Sequence, residues 1–249
     1  MTKKSERVYI KAFEPWCVVF FTDPLAIPIA RLLSSLRVHP NAITAVSLLA
    51  GLASGVFFSM GYWFWGAVVF QFSFLTDCLD GKVARLRQMT SEFGAKLDVW
   101  ADGTRKPSSF IGIGIFFYLS DQHLLAYFTI MACIVHFSMH KIYSLAGVSE
   151  YDLEFPEFQR RVVRRIAPRL LALYTFFDEQ FIEFVLFPLV GVIIGGREGK
   201  VWFLWGALIT TTLTLLKLAI LFDHRRKGRY AQVYQDWAGA KGNLGQQEL

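Results

Sequence analysis

Apolar residues gather into six stretches separated by short polar punctuation, at 41–60, 62–84, 94–119, 122–147, 177–196 and 200–222. Each approaches the roughly 20 residues that an α-helix needs to cross the hydrocarbon core of a bilayer. The punctuation falls where helix ends are expected. Pro40 follows His39 at the opening of the first stretch, and its fixed φ suits a first helical turn. Gly61 separates the first two stretches, and Ser120-Asp121-Gln122 separates the third from the fourth. Gly51 and Gly55 are four apart, the spacing of a close-packing face between membrane helices. The pattern predicts an all-α fold, a polytopic membrane protein with six transmembrane helices.

Two further segments read differently. Residues 7–34 are apolar but carry Lys11, Glu14, Pro15, Asp23, Pro24 and Pro28. Prolines so placed predict no single continuous helix here. The expectation is an amphipathic helix or two lying in the cytoplasmic interface, with Phe13 and Trp16 as aromatic anchors. Residues 148–176 are charged, acids first and then arginines interleaved with Val162, Val163, Ile166, Leu170 and Leu171. That reads as a basic amphipathic helix on an anionic surface, bent at Pro168. Pro107 is expected to kink the third span. The organisation is then an interfacial segment at 1–40, a six-helix transmembrane catalytic domain at 41–222 and a basic cytoplasmic tail at 223–249.

Composition sharpens the class. The chain is 54% hydrophobic, which leaves no room for a sizeable soluble domain. No cleaved leader is expected, because the charged Met1–Arg7 is followed by no small-residue cleavage site. The net charge of +6 matters through its placement. Basic residues crowd the N-terminal segment, the turn between the second and third spans, the 148–176 connector and the tail, whereas the other side has Arg197 and Lys200. Positive-inside counting puts both termini and that turn in the cytoplasm. Charge flanking membrane spans serves topology and anionic-lipid attraction, so nucleic acid is not an expected partner. Cys17, Cys78 and Cys133 form no CxxC pair, and reduced thiols are expected.

The chemistry lies at the facing ends of the second and third spans. They read Asp77-x-x-Asp80-Gly81-x-x-Ala84-Arg85, eight residues, then Gly94-x-x-x-Asp98-x-x-x-Asp102. Spacings of three and four place side chains on one helix face, so each helix presents a pair of carboxylates. The connector 86–93 is short enough to predict an antiparallel hairpin of the two helices. Four carboxylates converging at a membrane edge repel one another unless a cation lies between them. Hard divalent cations take oxygen ligands, and Mg²⁺ commonly works with carboxylates and substrate phosphates. The same acids would also suit a proton or cation path of an ion-coupled transporter. Transport, however, does not call for Gly81, Ala84, Arg85 and Gly94 at these places.

These eight residues, Asp77, Asp80, Gly81, Ala84, Arg85, Gly94, Asp98 and Asp102, resemble the signature of the CDP-alcohol phosphotransferase family at every defining position. The resemblance implies an integral membrane, homodimeric enzyme of phospholipid synthesis. Such an enzyme moves a phosphorus-bearing group from a CDP-linked donor to an alcohol and releases CMP. It implies two metal ions, Mg²⁺ or Mn²⁺, held by Asp77, Asp80, Asp98 and Asp102, with Asp102 as the base for the acceptor hydroxyl. Asp77, Asp80, Gly81, Ala84, Arg85 and Gly94 would bind the CDP donor. Small residues at 81, 84 and 94 would let the nucleotide approach the backbone, and Arg85 offers a planar fork to phosphate. The expected donor is a CDP-lipid, CDP-diacylglycerol above all, and the acceptor a small polar alcohol or polyol phosphate. The reverse polarity, a CDP-linked head group attacked by a lipid alcohol, uses the same residues.

Arg105 and Lys106 follow Asp102 within about one turn. Buried cations there need anions. They could meet the acceptor, the lipid diphosphate, or Asp178, Glu179 and Glu183 of the fifth span. His136, His140 and Lys141 could line an acceptor pocket or simply end the fourth span. Gly103 stands where family members that use polyol phosphates often place a basic residue.

Overall fold

Helix ends are set where the punctuation requires them. In the computed structural model, which describes residues 15–89, 91–145, 176–195 and 199–226, the first apolar stretch starts with Pro40 in its first turn. The His39 imidazole caps it, with Nδ1 accepting from the Asn41 N–H at 3.2 Å. Gln88 closes a later helix in the left-handed conformation (φ 54°). Ser91 opens the next by accepting the Gly94 N–H at 3.0 Å, which satisfies one of the orphan donors at a helix start.

The elements in chain order are α1 (Asp23–Ser35), α2 (Pro40–Ser59), α3 (Trp63–Arg87), α4 (Glu92–Leu119), α5 (His123–Leu145), α6 (Phe176–Phe181), α7 (Phe187–Gly195) and α8 (Gly199–Arg226). A π-helical turn, Val18–Thr22, leads into α1, and another, Ile182–Leu186, joins α6 to α7. No β-strand occurs among the described residues. Among the described residues, each predicted apolar stretch is helical over nearly all its length. Val18–Ser35 and Pro40–Ser59 are long and apolar enough to cross a bilayer, with mean hydropathies of 1.4 and 1.8. The helices α3 and α4 are as long, but the charges of the aspartate motif interrupt their apolar character. Outward-facing Leu49, Leu52, Val56, Phe128, Met131 and Leu208 are exposed, an apolar surface of the kind a bilayer covers.

Three expectations change. The prolines at 24 and 28 do not break the N-terminal helix, which runs continuously from Val18 to Ser35. Pro24 sits in the first turn of α1, directly after the π turn. It could not have bonded the Phe20 carbonyl, and the chain passes this point in the wider π turn. Trp16 packs edge-on against Phe21 and Phe181, at 6.1 and 5.8 Å, and so joins the core. Helix α4 includes Pro107, the place of the expected kink, within its length. Phe13, the 148–175 connector with its Pro168 bend, the tail beyond 226 and the side chains of His140 and Lys141 lie outside the described residues.

The third change shapes the site. The helices α3 and α4 do not pack along their length as a hairpin; α2 lies between them and packs extensively on both. Small residues permit this. A Cβ on Gly55 would meet the Ser108 carbonyl, and one on Gly112 would meet the Gly55 carbonyl. Hydroxyls fill the seams. Ser54 donates to the Gly66 carbonyl (2.9 Å) and Ser108 to that of Gly51 (2.9 Å). Ser47 and Ser73 donate to each other's carbonyls, at 2.8 and 2.7 Å. Around this seam Phe58, Phe70, Phe110, Phe117, Phe184 and Phe203 form a fully buried aromatic core. The buried Asp23–Lys82 pair (2.8 Å) ties α1 to α3 beside the motif.

Candidate functional site

The aspartates reach the site from two helices that converge at the 88–91 turn. Asp77 and Asp80 come from the last turns of α3, and Asp98 and Asp102 from the first turns of α4. Asp77, Asp98 and Asp102 each offer an oxygen within 4.8 Å of the others. That is the donor chemistry and spread of a site for a hard divalent cation. Asp80 is not one of this trio; its carboxylate accepts a 2.5 Å hydrogen bond from the Thr44 hydroxyl of α2.

A cavity of about 180 Å³ opens beside the cluster. Its walls are Pro40, Asn41 and Thr44 of α2, Asp80, Gly81, Ala84 and Arg85 of α3, Met89 and Ser91 of the turn, and Gly94, Ala95 and Asp98 of α4. Six of the eight signature residues therefore line one space, and Asp98 belongs to both the cavity and the carboxylate trio. The need for glycine at 94 is steric. A Cβ there would lie 3.0 Å from Asn41 Oδ1 and 3.1 Å from the Ser91 hydroxyl that caps α4. At Gly81 a Cβ would meet only the flexible end of Arg85, at 3.3 Å. Gly103 faces open space.

The two basic residues after Asp102 go to different anions. Arg105, 1% exposed, sets Nη2 2.7 Å from Asp77 Oδ1 and Nη1 3.1 Å from Asp102 Oδ1. Lys106 points to the other side of α4, with Nζ 3.5 Å from both Glu179 and Glu183 and 3.0 Å from His136 Nδ1. His136 in turn lies 3.1 Å from Glu183 Oε1. Thr210 donates to Glu183, and Thr214 donates to Glu179 at 2.8 Å. This buried network fastens α4 to the C-terminal helices and contributes nothing to the cavity wall. A buried ion pair is costly unless its members are further hydrogen-bonded, and the threonines supply those bonds.

Asn41, Thr44, Ser47 and Ser73 are the polar residues that sequence reasoning passed over. Pro40-Asn41 read as a helix start, and the sequence reading singled out neither the serines nor Thr44. A signal was present: Thr44 and Ser47 fall at the one-face spacing of three with Gly51 four further on, which is the face α2 turns toward α3 and α4.

Residues 37–155 match the family described as CDP-alcohol phosphatidyltransferase. The chain is 37% identical over 101 residues to a phosphatidylinositol phosphate synthase of Mycobacterium tuberculosis, covering 39% of this chain and 46% of that protein. It is 34% identical over 114 residues to a Corynebacterium glutamicum protein of the same name, covering 43% and 50%. It is 39% identical over 74 residues to a Helicobacter pylori CDP-diacylglycerol–serine O-phosphatidyltransferase, covering 28% and 30%. The chain spans about half the length of the first of these relatives. The crystal structure of the Mycobacterium tuberculosis phosphatidylinositol phosphate synthase is similar with a TM-score of 0.47 and 23% identity, over 77% of this chain and 94% of that one. The stretch 37–155, with both aspartate pairs at its centre, thus matches the CDP-alcohol phosphatidyltransferase family.

Proposed function

We propose that the protein transfers a phosphatidyl-type group from a CDP-lipid, with CDP-diacylglycerol the favoured donor, to a small polar alcohol or polyol phosphate, and releases CMP. The observation that carries this reading is the shared wall: one cavity is bounded by Asp80 and Asp98 and by the small residues Gly81, Ala84 and Gly94, with Arg85 at its edge. Its polarity is supported by the relatives' names, a phosphatidylinositol phosphate synthase and a CDP-diacylglycerol–serine O-phosphatidyltransferase. The site works at the cytoplasmic side of the membrane, where the basic turn residues hold it.

Asp77, Asp98 and Asp102, with Asp80 beside them, would hold the divalent cation. Bound there, Mg²⁺ or Mn²⁺ supplies neutralisation of the donor diphosphate and of charge on the attacking and leaving oxygens. The chain's own residues do the rest. Gly81, Ala84 and Gly94 admit the cytidine phosphate against the backbone, and Arg85 binds phosphate oxygens. Asp102, like Asp98, is a partly accessible carboxylate of the set, with a side chain 34% exposed against 9% for Asp77. It takes the acceptor hydroxyl's proton as that oxygen bonds to the lipid-bearing phosphorus, and the bond to the CMP phosphate oxygen breaks. General-base assistance of this kind contributes typically about 10²–10⁴ in rate.

Incubating the purified protein with CDP-diacylglycerol, Mg²⁺ and a panel of small alcohols, with CMP as readout, tests the reading. CMP should appear with one acceptor class. If no alcohol elicits CMP while the protein conducts cations in vesicles, the transporter reading replaces this one.

A further inference from the structure

Arg105 is the largest of the fully buried side chains described, and it is neither a metal ligand nor part of the cavity wall. Its guanidinium joins two carboxylates from two helices, Asp77 of α3 at 2.7 Å and Asp102 of α4 at 3.1 Å. Nε donates to the Ser73 hydroxyl at 3.0 Å, and Nη2 also reaches the Ser47 hydroxyl at 3.4 Å. Ser47 and Ser73 are themselves locked by their reciprocal bonds across the α2–α3 seam. The ring of Phe74 lies 5.6 Å from the guanidinium carbon. A Cβ at Gly51 would come within 3.2 Å of the Arg105 stem, so the small residue there makes room for it.

These contacts fix the cation in one place. The guanidinium stays protonated in a protein and is preorganised as a planar fork. Bridging two carboxylates from different helices is also what a metal ion does in a multi-carboxylate site. The resemblance implies two ions, yet in this chain the space between Asp77 and Asp102 already has a permanent cation.

We infer that Arg105 is a built-in cation that takes the place of one of the two divalent ions, so that this chain binds a single Mg²⁺ or Mn²⁺ at Asp98, Asp80 and the remaining oxygens of Asp77 and Asp102. The inference rests on the metal-site reading above. It assigns Arg105 to the cluster's charge balance and not to the acceptor.

The test is a count of Mn²⁺ bound per full-length chain in detergent, by equilibrium dialysis and by the EPR spectrum of the bound ion. The wild-type protein should bind one ion with the spectrum of an isolated centre. Arg105→Lys, which keeps the charge, should also bind one. Arg105→Gln should bind a second ion, with affinity at least about tenfold above any secondary binding to the wild type, because a cation within a few ångströms of the site is gone. If Arg105→Gln does not fold, Ser73→Ala, which loosens the Nε bond without removing charge, is measured in its place and should admit a weaker second ion. Two ions in the wild type overturn the inference and leave the metal site standing. One ion in every variant also overturns it, since Arg105 then displaces nothing. No bound Mn²⁺ in the wild type overturns the metal site itself.

Discussion

Replacing Thr44 by valine keeps the shape of the side chain and removes one hydroxyl. Thr44 and Asp80 are 3% and 6% exposed, and the bond between them is 2.5 Å long. The same hydroxyl lies 3.2 Å from the Pro40 carbonyl, the ordinary back-bond of a helical threonine, so the aspartate is its nearer partner. A hydrogen bond to a charged group contributes about 1.5–3 kcal/mol, and a buried acceptor left without it incurs a similar cost. At 1.4 kcal/mol per factor of ten, that is about 10- to 100-fold if all of it is expressed in the bound complex. A cation and the donor would partly re-satisfy Asp80, so the expected loss in kcat/KM for the CDP donor is near the lower end, about tenfold. Thr44→Ser should retain most of the activity. The assay is steady-state CMP release at varied donor, with a Mg²⁺ titration for each variant. The reasoning is refuted if Thr44→Val matches the wild type in both donor kcat/KM and Mg²⁺ midpoint, because the bond would then not be orienting Asp80 for its partners.

Other consequences are open to direct measurement. Asp80→Asn should weaken both CDP-donor binding and turnover, whereas Asp102→Asn should stop turnover with donor affinity better preserved; near-normal turnover by Asp102→Asn would remove it as the base. Gly112→Ala forces a methyl into the Gly55 carbonyl at the α2–α4 crossing. Overpacking of this kind costs about 1–3 kcal/mol, and the thermal midpoint in detergent should fall by several degrees; an unchanged midpoint would contradict the packing described. A cysteine at Gln88, in the turn between the motif helices, should react only with reagents that enter the cytoplasm, and labelling from outside would invert the topology.

The helices were legible because their cause is local. Apolar runs, Pro40 in a first turn and Gly61 at a helix end all act within a few residues, and each sits where the sequence pattern puts it. The aspartate pairs were legible for the same reason, since spacings of three and four need only one helix each. What was not legible is the arrangement of helices. A short connector between two helices suggests that they pack on each other, but the glycines at 51, 55 and 112 let α2 in between. That insertion brings Asn41, Thr44 and Ser47 of α2 to the site and sets Ser47 against Ser73 of α3, and no spacing within the motif could reveal it. The division of Arg105 and Lys106 between opposite anions is equally a matter of packing. The residues are adjacent in sequence and so about 100° apart around the helix, and only the placement of α3 and of α6 decides which acid each meets. Pro24 misled because a proline's missing donor is harmless beside a π turn, whereas Pro28 lies inside α1, which runs on through it.

The most direct test of the central claim follows the phosphorus. The full-length protein, reconstituted with CDP-diacylglycerol and the acceptor found in the panel, is assayed by mass spectrometry of the lipid product, with Mg²⁺ or with chelator. The account predicts a phosphatidylated acceptor formed in equal amount to CMP, abolished by chelator and restored by Mg²⁺ or Mn²⁺. Product formed unchanged in chelator, or product formed only from a CDP-linked head group and diacylglycerol, would contradict it.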